Sequence, residues 1–369
     1  MIKLPRIVWD QGKLLHNAAY LDELCSKSEY PIDWVPVTKV VSGDTEIIRT
    51  LINTGCRTLA DSRIENLKSI KEISDSCQTM LLRLPGIHEA EDVVKYADIS
   101  LVSEIETIKK LQDKAHLLGV NHKIIVMIEL GDLREGILAE NLIKVGQFIL
   151  KQSNIEWLGI GTNLTCYGGV IPSEEIMLEL AAIKQQVERE LNHSLKIISG
   201  GNSSILPLLM EQKIPKGINQ IRLGESLFFG RESAYGKNIP GMFNDVFTLQ
   251  AEVIEVKEKN SIPRGALGMN AFGVKPVFID RGIHKRAIVA LGEQDVPVAD
   301  LTPLNRSIEI IGSSSDHLIL DVTETNTRVG DVLSFKVNYK SLLYAMTSKY
   351  VNKKQTSTEQ VVGNNTLAY

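Results

Sequence analysis

The sequence predicts an α/β protein with two domains, a (β/α)8 TIM barrel followed by a smaller, mainly β domain. Up to Leu223, eight short β-rich runs alternate with amphipathic stretches of helical period, which is the pattern of a parallel sheet. From about Gly241 onward, strand patterns follow one another without intervening helices. Eight strand-then-helix units are the number that closes a barrel, while their spacing alone also fits an open doubly wound sheet.

The predicted elements follow in order along the chain. The barrel strands cover residues 34–40, 57–60, 79–84, 98–102, 123–130, 155–163, 195–198 and 220–223, with amphipathic helices between them. The strands of the second domain cover residues 247–256, 287–291, 307–311, 318–322 and 332–337. We therefore expect a barrel over residues 10–236, a β domain formed by residues 1–9 and 237–351, and a polar, disordered tail over residues 352–369.

Composition limits the classes of protein to which the chain can belong. Its 369 residues, 43% of them hydrophobic, suffice for two domains with sizeable cores, and a net charge of −4 leaves no basic patch for nucleic acid. Four widely separated cysteines without a C-x-x-C pair are typical of reduced thiols and indicate neither a disulfide framework nor a metal site. No segment reaches the roughly 18 apolar residues of a membrane helix, and the N-terminus lacks a signal-peptide core. We expect a cytoplasmic protein with no membrane partner.

The segment Ser199-Gly200-Gly201-Asn202-Ser203-Ser204 lies between an apolar strand and a helix-like stretch that begins at Ile205. Glycines let backbone N–H groups approach an anion closely, and a helix start adds its positive dipole end. A plain strand-to-helix turn with a Ser or Asn cap is the alternative. In a barrel, however, a phosphate site commonly follows strands seven and eight, where Gly224-Glu225 would form the second wall. The segment therefore predicts a phosphate site.

Five segments carry a resemblance to a known family. In chain order they are Val37-Thr38-Lys39, Gly131 to Gly136, Asn163 to Gly168, Ser199 to Ser204 and Arg222 to Gly230. Together they resemble the alanine-racemase-like, fold type III enzymes that use pyridoxal 5'-phosphate (PLP), and more narrowly the ornithine racemase branch. The likeness covers about residues 2–350 and thus both domains.

The resemblance implies a role for each matched residue. Lys39 forms a Schiff base with PLP, and a lysine shielded from water suits that role because its pKa falls. Arg222 faces the pyridine nitrogen, where a permanent cation disfavours protonation of the ring. Arg134 contacts the phenolic oxygen of the cofactor or the carboxylate of the substrate. Asn163 takes the place of a histidine that stacks on the ring. The phosphate-binding segments contain Ser199, Asn202, Ser203, Gly224 and Glu225.

Two departures from the family pattern affect the expected chemistry. Where alanine racemases carry a lysine that can be carbamylated and orients the arginine, this chain has Met127, so Asp132 or Glu129 is the expected partner of Arg134. The tyrosine that supplies the second base is also absent, since that segment reads Gly292-Glu293-Gln294-Asp295. Racemisation needs a proton donor on the face opposite Lys39. The candidates for it are His317, Cys166 and Tyr167.

The resemblance implies a homodimer with shared active sites and a small-molecule amino acid as substrate. Ornithine or another basic amino acid is expected, and Glu293, Asp295 and Asp316 are candidates to receive its distal ammonium group. Three alternatives stay open: a broad-specificity or alanine racemase, a fold type III lyase, and a non-catalytic PLP carrier. A lyase of this fold usually needs a metal, and the sequence shows no His/Cys cluster with metal-ligand spacing.

Overall fold

The computed structural model describes residues 3–356, which divide into two compact units. Lys13–Asn244 form one unit, and the segments on either side of that range form the other. Each unit contains one eight-stranded sheet. The boundaries between the units lie after residues 12 and 244, beyond the expected ones after residues 9 and 236. At the first boundary, Asp10 ends a strand of the second unit, and its backbone N–H donates to the Val246 carbonyl of that unit.

The first strand, β1 (Arg6–Asp10), belongs to the second unit, and the eight barrel strands follow it. They are β2 (Asp33–Pro36), β3 (Thr58–Asp61), β4 (Gln78–Leu81), β5 (Ile99–Val102), β6 (His122–Met127), β7 (Ile155–Gly161), β8 (Ile197–Ser199) and β9 (Gln220–Leu223). All pairings are parallel, in the order β2-β9-β8-β7-β6-β5-β4-β3. A bridge between Val37 and Ala60 joins β2 to β3. The predicted barrel is therefore confirmed, and the open sheet is excluded.

Four strands end earlier than predicted, so the polar residues after them lie in loops. The predicted strand 34–40 stops at Pro36, and Lys39–Val41 form a 3-10 turn. The strands predicted to end at residues 84, 130 and 163 stop at Leu81, Met127 and Gly161. Apolar character continues past these points because the loops also have buried side chains, which periodicity alone does not distinguish from strand.

Helices precede, connect or follow the barrel strands. They are α1 (Gln11–Ser26), α2 (Thr45–Asn53), α3 (Ile64–Ile73), α4 (Ala90–Tyr96), α5 (Ile105–Leu118), α6 (Ala139–Ile149), α7 (Glu174–Leu191), α8 (Leu206–Met210) and α9 (Glu225–Phe229). In α5 the buried positions include Ile108, Leu111 and Ala115, three or four residues apart, so they share one face. Gly119 ends α5 in the left-handed region at φ 67°.

The barrel interior is filled by side chains from the strands. The cluster consists of Val35, Val37, Ala60, Met80, Ile99, Leu101, Ile125, Met127 and Leu158, all buried. Inward-facing branched and small residues of parallel strands form such a packed core. This core fixes the strand ends that carry the polar residues.

The second unit is built around an antiparallel sheet. After β1 its strands are β10 (Phe247–Asn260), β11 (Ile283–Val289), β12 (Leu301–Pro303), β13 (Glu309–Ser313), β14 (Leu318–Asp321), β15 (Val332–Val337) and β16 (Asn352–Thr356). The sheet order is β12-β15-β10-β11-β14-β13, and β1 joins it by pairing with β10. One helix, α10 (Tyr339–Thr347), was not predicted; Asn338 and Ser341 form a capping box at its start.

The predicted disordered tail over residues 352–369 is wrong at its beginning. Asn352–Thr356 form β16, which pairs in parallel with β1 along its whole length. The sequence of β16 shows no apolar alternation, so periodicity does not predict a strand there. The strand is stabilised by backbone hydrogen bonds to β1, and lysines are common on such edge strands. The rest of that tail lies outside the described residues. Within residues 3–356, no helix has the length and apolar character needed to cross a bilayer.

Candidate active site

The C-terminal ends of the parallel barrel strands carry most of the residues that the sequence predicts for the site. Lys39 follows β2, Asn163 follows β7, the Ser199–Ser204 turn follows β8, and Arg222 lies in β9. Arg134 follows β6 in a loop. Because all these strands run the same way, their ends meet on one face of the barrel. The structure therefore brings these residues together within the unit Lys13–Asn244.

The residue that precedes Lys39 is fixed by a side-chain hydrogen bond to Asp61. The Thr38 hydroxyl donates to Asp61 Oδ2 at 2.8 Å, and Asp61 is fully buried at the end of β3. The other carboxylate oxygen of Asp61 accepts from the Arg63 backbone N–H at 3.0 Å, so the carboxylate is fixed in place. Asp61 was not predicted as a site residue, although its position after a barrel strand was a signal for it.

The pKa of the Lys39 amine is lower than that of an ordinary lysine. Its side chain is open to solvent at the barrel mouth, yet protein atoms surround it closely enough that desolvation lowers its pKa. The charge of Arg134 lowers the pKa further, while Cys166 and Asp61 act in the opposite direction. Desolvation dominates, so the lysine is a better nucleophile and base near neutral pH than a fully hydrated one.

The Ser199–Ser204 turn and the start of α9 form two linked walls. Gly201 has φ 125°, a conformation that side-chain-bearing residues rarely adopt, so this turn requires glycine there. Ser203 Oγ lies 3.1 Å from Ser226 Oγ and accepts from the Ser226 backbone N–H at 3.2 Å. The buried Ser204 Oγ has no hydrogen-bond partner among the described residues. An unpaired buried hydroxyl in such a turn fits a site that receives an anion.

The Asn202 side chain makes its hydrogen bonds within the barrel unit. Its side-chain oxygen accepts from the Ser204 backbone N–H at 2.9 Å, and its amide donates to the Leu164 carbonyl at 2.9 Å. The same amide lies 3.3 Å from Cys166 Sγ. The Asn202 side chain therefore joins the turn to the loop after β7, which leaves only its backbone for an anion.

Arg222 is almost completely buried and is surrounded by acceptors. Nη1 donates to Ser199 Oγ, and Nη2 donates to the Thr162 carbonyl and to Asn163 Oδ1, both at 2.7 Å. Burial lowers the pKa of Arg222 to about 10, which still leaves it cationic near neutral pH. The Glu225 carboxylate pairs with Arg231.

A hydrogen-bonded chain runs from Arg222 to Arg134. The Asn163 amide accepts from Arg222 through Oδ1 and donates from Nδ2 to Glu135 Oε1 at 2.6 Å. The two oxygens of Glu135 accept from Nε and Nη2 of Arg134 in a bidentate pair. Two arginines at the site are therefore connected through one amide and one carboxylate.

The two expected partners of Arg134 accept hydrogen bonds from backbone N–H groups instead. Asp132 is buried and accepts from the backbone N–H groups of Cys166, Tyr167 and Val170 at 3.0–3.4 Å, which fixes the loop after β7. Glu129 accepts from the backbone N–H groups of Gly131 and Leu133. The expectation that Asp132 or Glu129 orients Arg134 is therefore wrong, because short loops draw nearby carboxylates to backbone N–H groups. Glu135, adjacent in sequence, takes that role, and Met127 lies in the barrel core.

The candidates for the second proton-transfer group fall in different units. Cys166 is an exposed thiol in the barrel unit, and burial among protein atoms raises its pKa although Arg134 and Lys39 lower it. Tyr167 lies beside it and is 76% exposed. His317 belongs to the β unit, where its Nδ1 lies 2.8 Å from Asp316 Oδ1.

The acidic candidates for binding a substrate ammonium all lie in the β unit. Glu293 accepts from the Ser313 hydroxyl at 2.7 Å, and Asp295 is buried and accepts from the Gly292 backbone N–H at 3.2 Å. These two carboxylates already serve local structure. Asp316 is exposed and pairs with His317. Among residues 3–356, no group of three or more His, Cys, Asp or Glu side chains is arranged to hold a metal ion.

Comparison with known proteins identifies the family. The family model for the alanine racemase N-terminal domain matches residues 9–232. The chain belongs to the alanine racemase family. It is 45% identical to the ornithine racemase of Acetoanaerobium sticklandii over 353 residues, covering 95% of this chain and 99% of that one. It is 41% identical to the lysine racemase of Thermotoga maritima over 351 residues, covering 95% and 98%.

The alanine racemase fold extends over both units. A crystal structure of alanine racemase from Bartonella henselae with covalently bound pyridoxal phosphate matches 96% of this chain and 100% of its own, with a TM-score of 0.72 and 17% identity. That likeness confirms the predicted fold. The resemblance to the alanine-racemase-like family and to its ornithine racemase branch is confirmed by the family model and the relatives.

Proposed function

We propose that this chain is a PLP-dependent racemase that interconverts the L and D enantiomers of a basic amino acid, either ornithine or lysine. The observation that carries the proposal is the convergence of Lys39, Arg222 and the Ser199–Ser204 turn on one face of the barrel. The racemase class is supported by similarity over nearly the whole length of two relatives named for racemising ornithine and lysine. The identity of 45% and 41% to these two relatives, against 17% to an alanine racemase and 13% to a D-threonine aldolase of the same fold, favours this class over a racemase of alanine and a lyase. A non-catalytic carrier is disfavoured because both relatives match nearly the whole chain.

The residues present fit PLP. The unpaired Ser204 Oγ and the glycine backbone at Gly201 suit the phosphate, with Gly224 and Ser203 on the adjoining wall. Lys39 supplies the amine, since its lowered pKa makes a neutral nucleophile accessible. When bound, PLP acts as an electron sink that makes the Cα proton of an amino acid acidic.

The polar side chains of the barrel would then act on the substrate and the ring. Lys39 takes up or returns the Cα proton on its side, because desolvation keeps the pKa of the amine below its ordinary value. Arg222 would supply a buried cation to the ring nitrogen of PLP and so oppose its protonation. Arg134, held in a bidentate pair with Glu135, would offer its guanidinium to the substrate carboxylate or the phenolic oxygen of PLP. Glu225 supports its wall through Arg231.

We propose two candidates, Cys166 and His317, for the group that transfers a proton on the face opposite Lys39. Cys166 lies with Lys39 in the barrel unit, and its raised pKa keeps the thiol protonated, which suits a proton donor. His317 is paired with Asp316 in the β unit, and a carboxylate beside an imidazole orients its ring. In Cys166→Ser and His317→Asn, loss of exchange of the Cα proton with deuterium from one enantiomer only would identify the donor. Unchanged exchange from both enantiomers would remove that residue from the mechanism.

We propose that the protein acts as a cytoplasmic homodimer. Support comes from the β unit, where nine apolar side chains between Ile262 and Ile283 are at least 39% exposed, including Val277 at 91% and Ile279 at 71%. Exposed apolar stretches of this kind mark protein interfaces. Analytical ultracentrifugation of the wild type should give a dimer, and Val277→Asp with Ile279→Asp should shift it toward monomer. A wild-type monomer at micromolar concentration would contradict the proposal.

The proposed activity is tested with the purified full-length protein. With PLP added, the wild type should acquire the visible absorbance of PLP bonded to a lysine, and Lys39→Ala should not. Chiral chromatography should show L-ornithine or L-lysine converted to its D enantiomer, with L-alanine much slower. Lys196→Ala is the matched control, because Lys196 pairs with Glu156 on the exposed surface. An absorbance band without any change of enantiomer would reject the racemase, and a preference for alanine would reject the substrate class.

A further inference from the structure

We propose that Glu135 is a positioning residue that holds Arg134 in its working orientation and, through Asn163, couples it to Arg222. The proposal rests on the proposed function, since it assigns Arg134 and Arg222 to the same site. It concerns a carboxylate that the sequence did not single out. Its place in the mechanism follows from contacts alone.

The contacts make Glu135 the centre of the network. Its carboxylate accepts two hydrogen bonds from Arg134 and one from Asn163, whose other end receives the Arg222 guanidinium at 2.7 Å. Its side chain is only 11% exposed, whereas that of Arg134 is 38% exposed. A planar, bidentate pair fixes the direction of a guanidinium far better than a single contact does.

The charge of Glu135 is also suited to this task. Burial raises its pKa, but the hydrogen bond and charge of Arg134, together with the Asn163 amide, outweigh burial and leave the pKa below its ordinary value. Glu135 is therefore ionised near neutral pH. One negative charge then lies between two cations that would otherwise repel each other across Asn163.

The geometry of the loop after β6 explains why Glu135, and not another carboxylate of the loop, pairs with Arg134. Gly136, at φ 139°, packs so tightly that a Cβ there would lie 2.3 Å from the Glu129 backbone nitrogen. The base of the loop is closed by the Ile137 N–H donating to the Met127 carbonyl at 2.8 Å. Glu135 is thus held at the rim of the barrel by backbone constraints on its C-terminal side. The other two loop carboxylates point to backbone N–H groups.

The test compares Glu135→Gln with Glu129→Gln, which alters a carboxylate in the same loop that caps backbone N–H groups only. Glu135→Gln should lower kcat/KM about ten- to a hundredfold, because it loses a hydrogen bond between charged groups. Most of that loss should appear in KM if Arg134 binds the substrate carboxylate. Glu129→Gln should lose less than about threefold, since the amide oxygen can still accept. Glu135→Asp should recover part of the loss because it keeps the charge.

Two further measurements separate positioning from general loop damage. In an Arg134→Ala background, Glu135→Gln should cause little additional loss, whereas losses that multiply would overturn the proposal. In 15N-arginine-labelled full-length protein without PLP, the Arg134 Nε–H signal should be protected from exchange in the wild type and Glu129→Gln, and lost in Glu135→Gln. An unprotected wild-type signal would overturn the proposal even if racemisation is found. If no racemisation is found, the NMR result still decides the role of Glu135.

Discussion

Asn163→Leu should destabilise the protein by an amount that the structure allows us to estimate. The substitution keeps the size of the side chain but removes a bond from Arg222 at 2.7 Å and a bond to Glu135 at 2.6 Å. Hydrogen bonds to charged groups contribute about 1.5–3 kcal/mol each. We take the low end, because Glu135 still reaches some water at 11% exposure and Arg222 keeps Ser199 and the Thr162 carbonyl. The expected loss is about 3 kcal/mol.

Urea unfolding of the PLP-free protein measures this loss. Asn219→Leu is the matched control, since Asn219 also makes two hydrogen bonds, to the Ile198 N–H and the Lys196 carbonyl, both at 2.8 Å and both with neutral groups. We expect the control to lose about 2 kcal/mol and to keep its affinity for PLP, while Asn163→Leu loses affinity as well. A loss below about 1 kcal/mol in Asn163→Leu, or equal PLP affinity in the two variants, would refute the reasoning.

Three other predictions concern titration and backbone geometry. Because desolvation lowers the pKa of Lys39, reductive methylation should label it at a lower pH than exposed Lys196, and equal pH profiles by mass spectrometry would contradict this. Because burial raises the pKa of Cys166, iodoacetamide should alkylate it more slowly at pH 8 than a free cysteine, and faster alkylation would show a thiolate. Gly136→Ala should lower the free energy of unfolding by about 1–3 kcal/mol through left-handed strain and contact with Glu129, and an unchanged urea midpoint would rule this out.

The barrel could be predicted because each of its strands is a separate apolar run followed by a helix. Spacing alone did not distinguish the barrel from an open sheet, because closure requires β2 to pair with β9, and these two strands lie at opposite ends of the barrel sequence. The β unit was harder. Its strand β16 has no apolar alternation and is stabilised by the backbone of β1. Helix α10 follows the last predicted strand, in a stretch where no element was predicted.

At the site, the sequence indicated which residues have the right chemistry but not which of them touch. Lys39, Arg222 and the Ser199–Ser204 turn were predicted from their places after strands and from the resemblance, and the structure places them on one barrel face. The partner of Arg134 was missed, because the choice among Glu129, Asp132 and Glu135 depends on loop dihedrals rather than on spacing.

The most direct test of the central claim is the time course of racemisation from both enantiomers. The two enantiomers of an amino acid have equal free energy, so a racemase must bring pure L-ornithine and pure D-ornithine, or the lysine pair, to the same 1:1 mixture. With PLP added, the wild type should reach that mixture from either side, and Lys39→Ala should leave both samples unchanged. A PLP-loaded wild type that leaves either enantiomer intact, or a Lys39→Ala variant that racemises at the wild-type rate, would contradict the account.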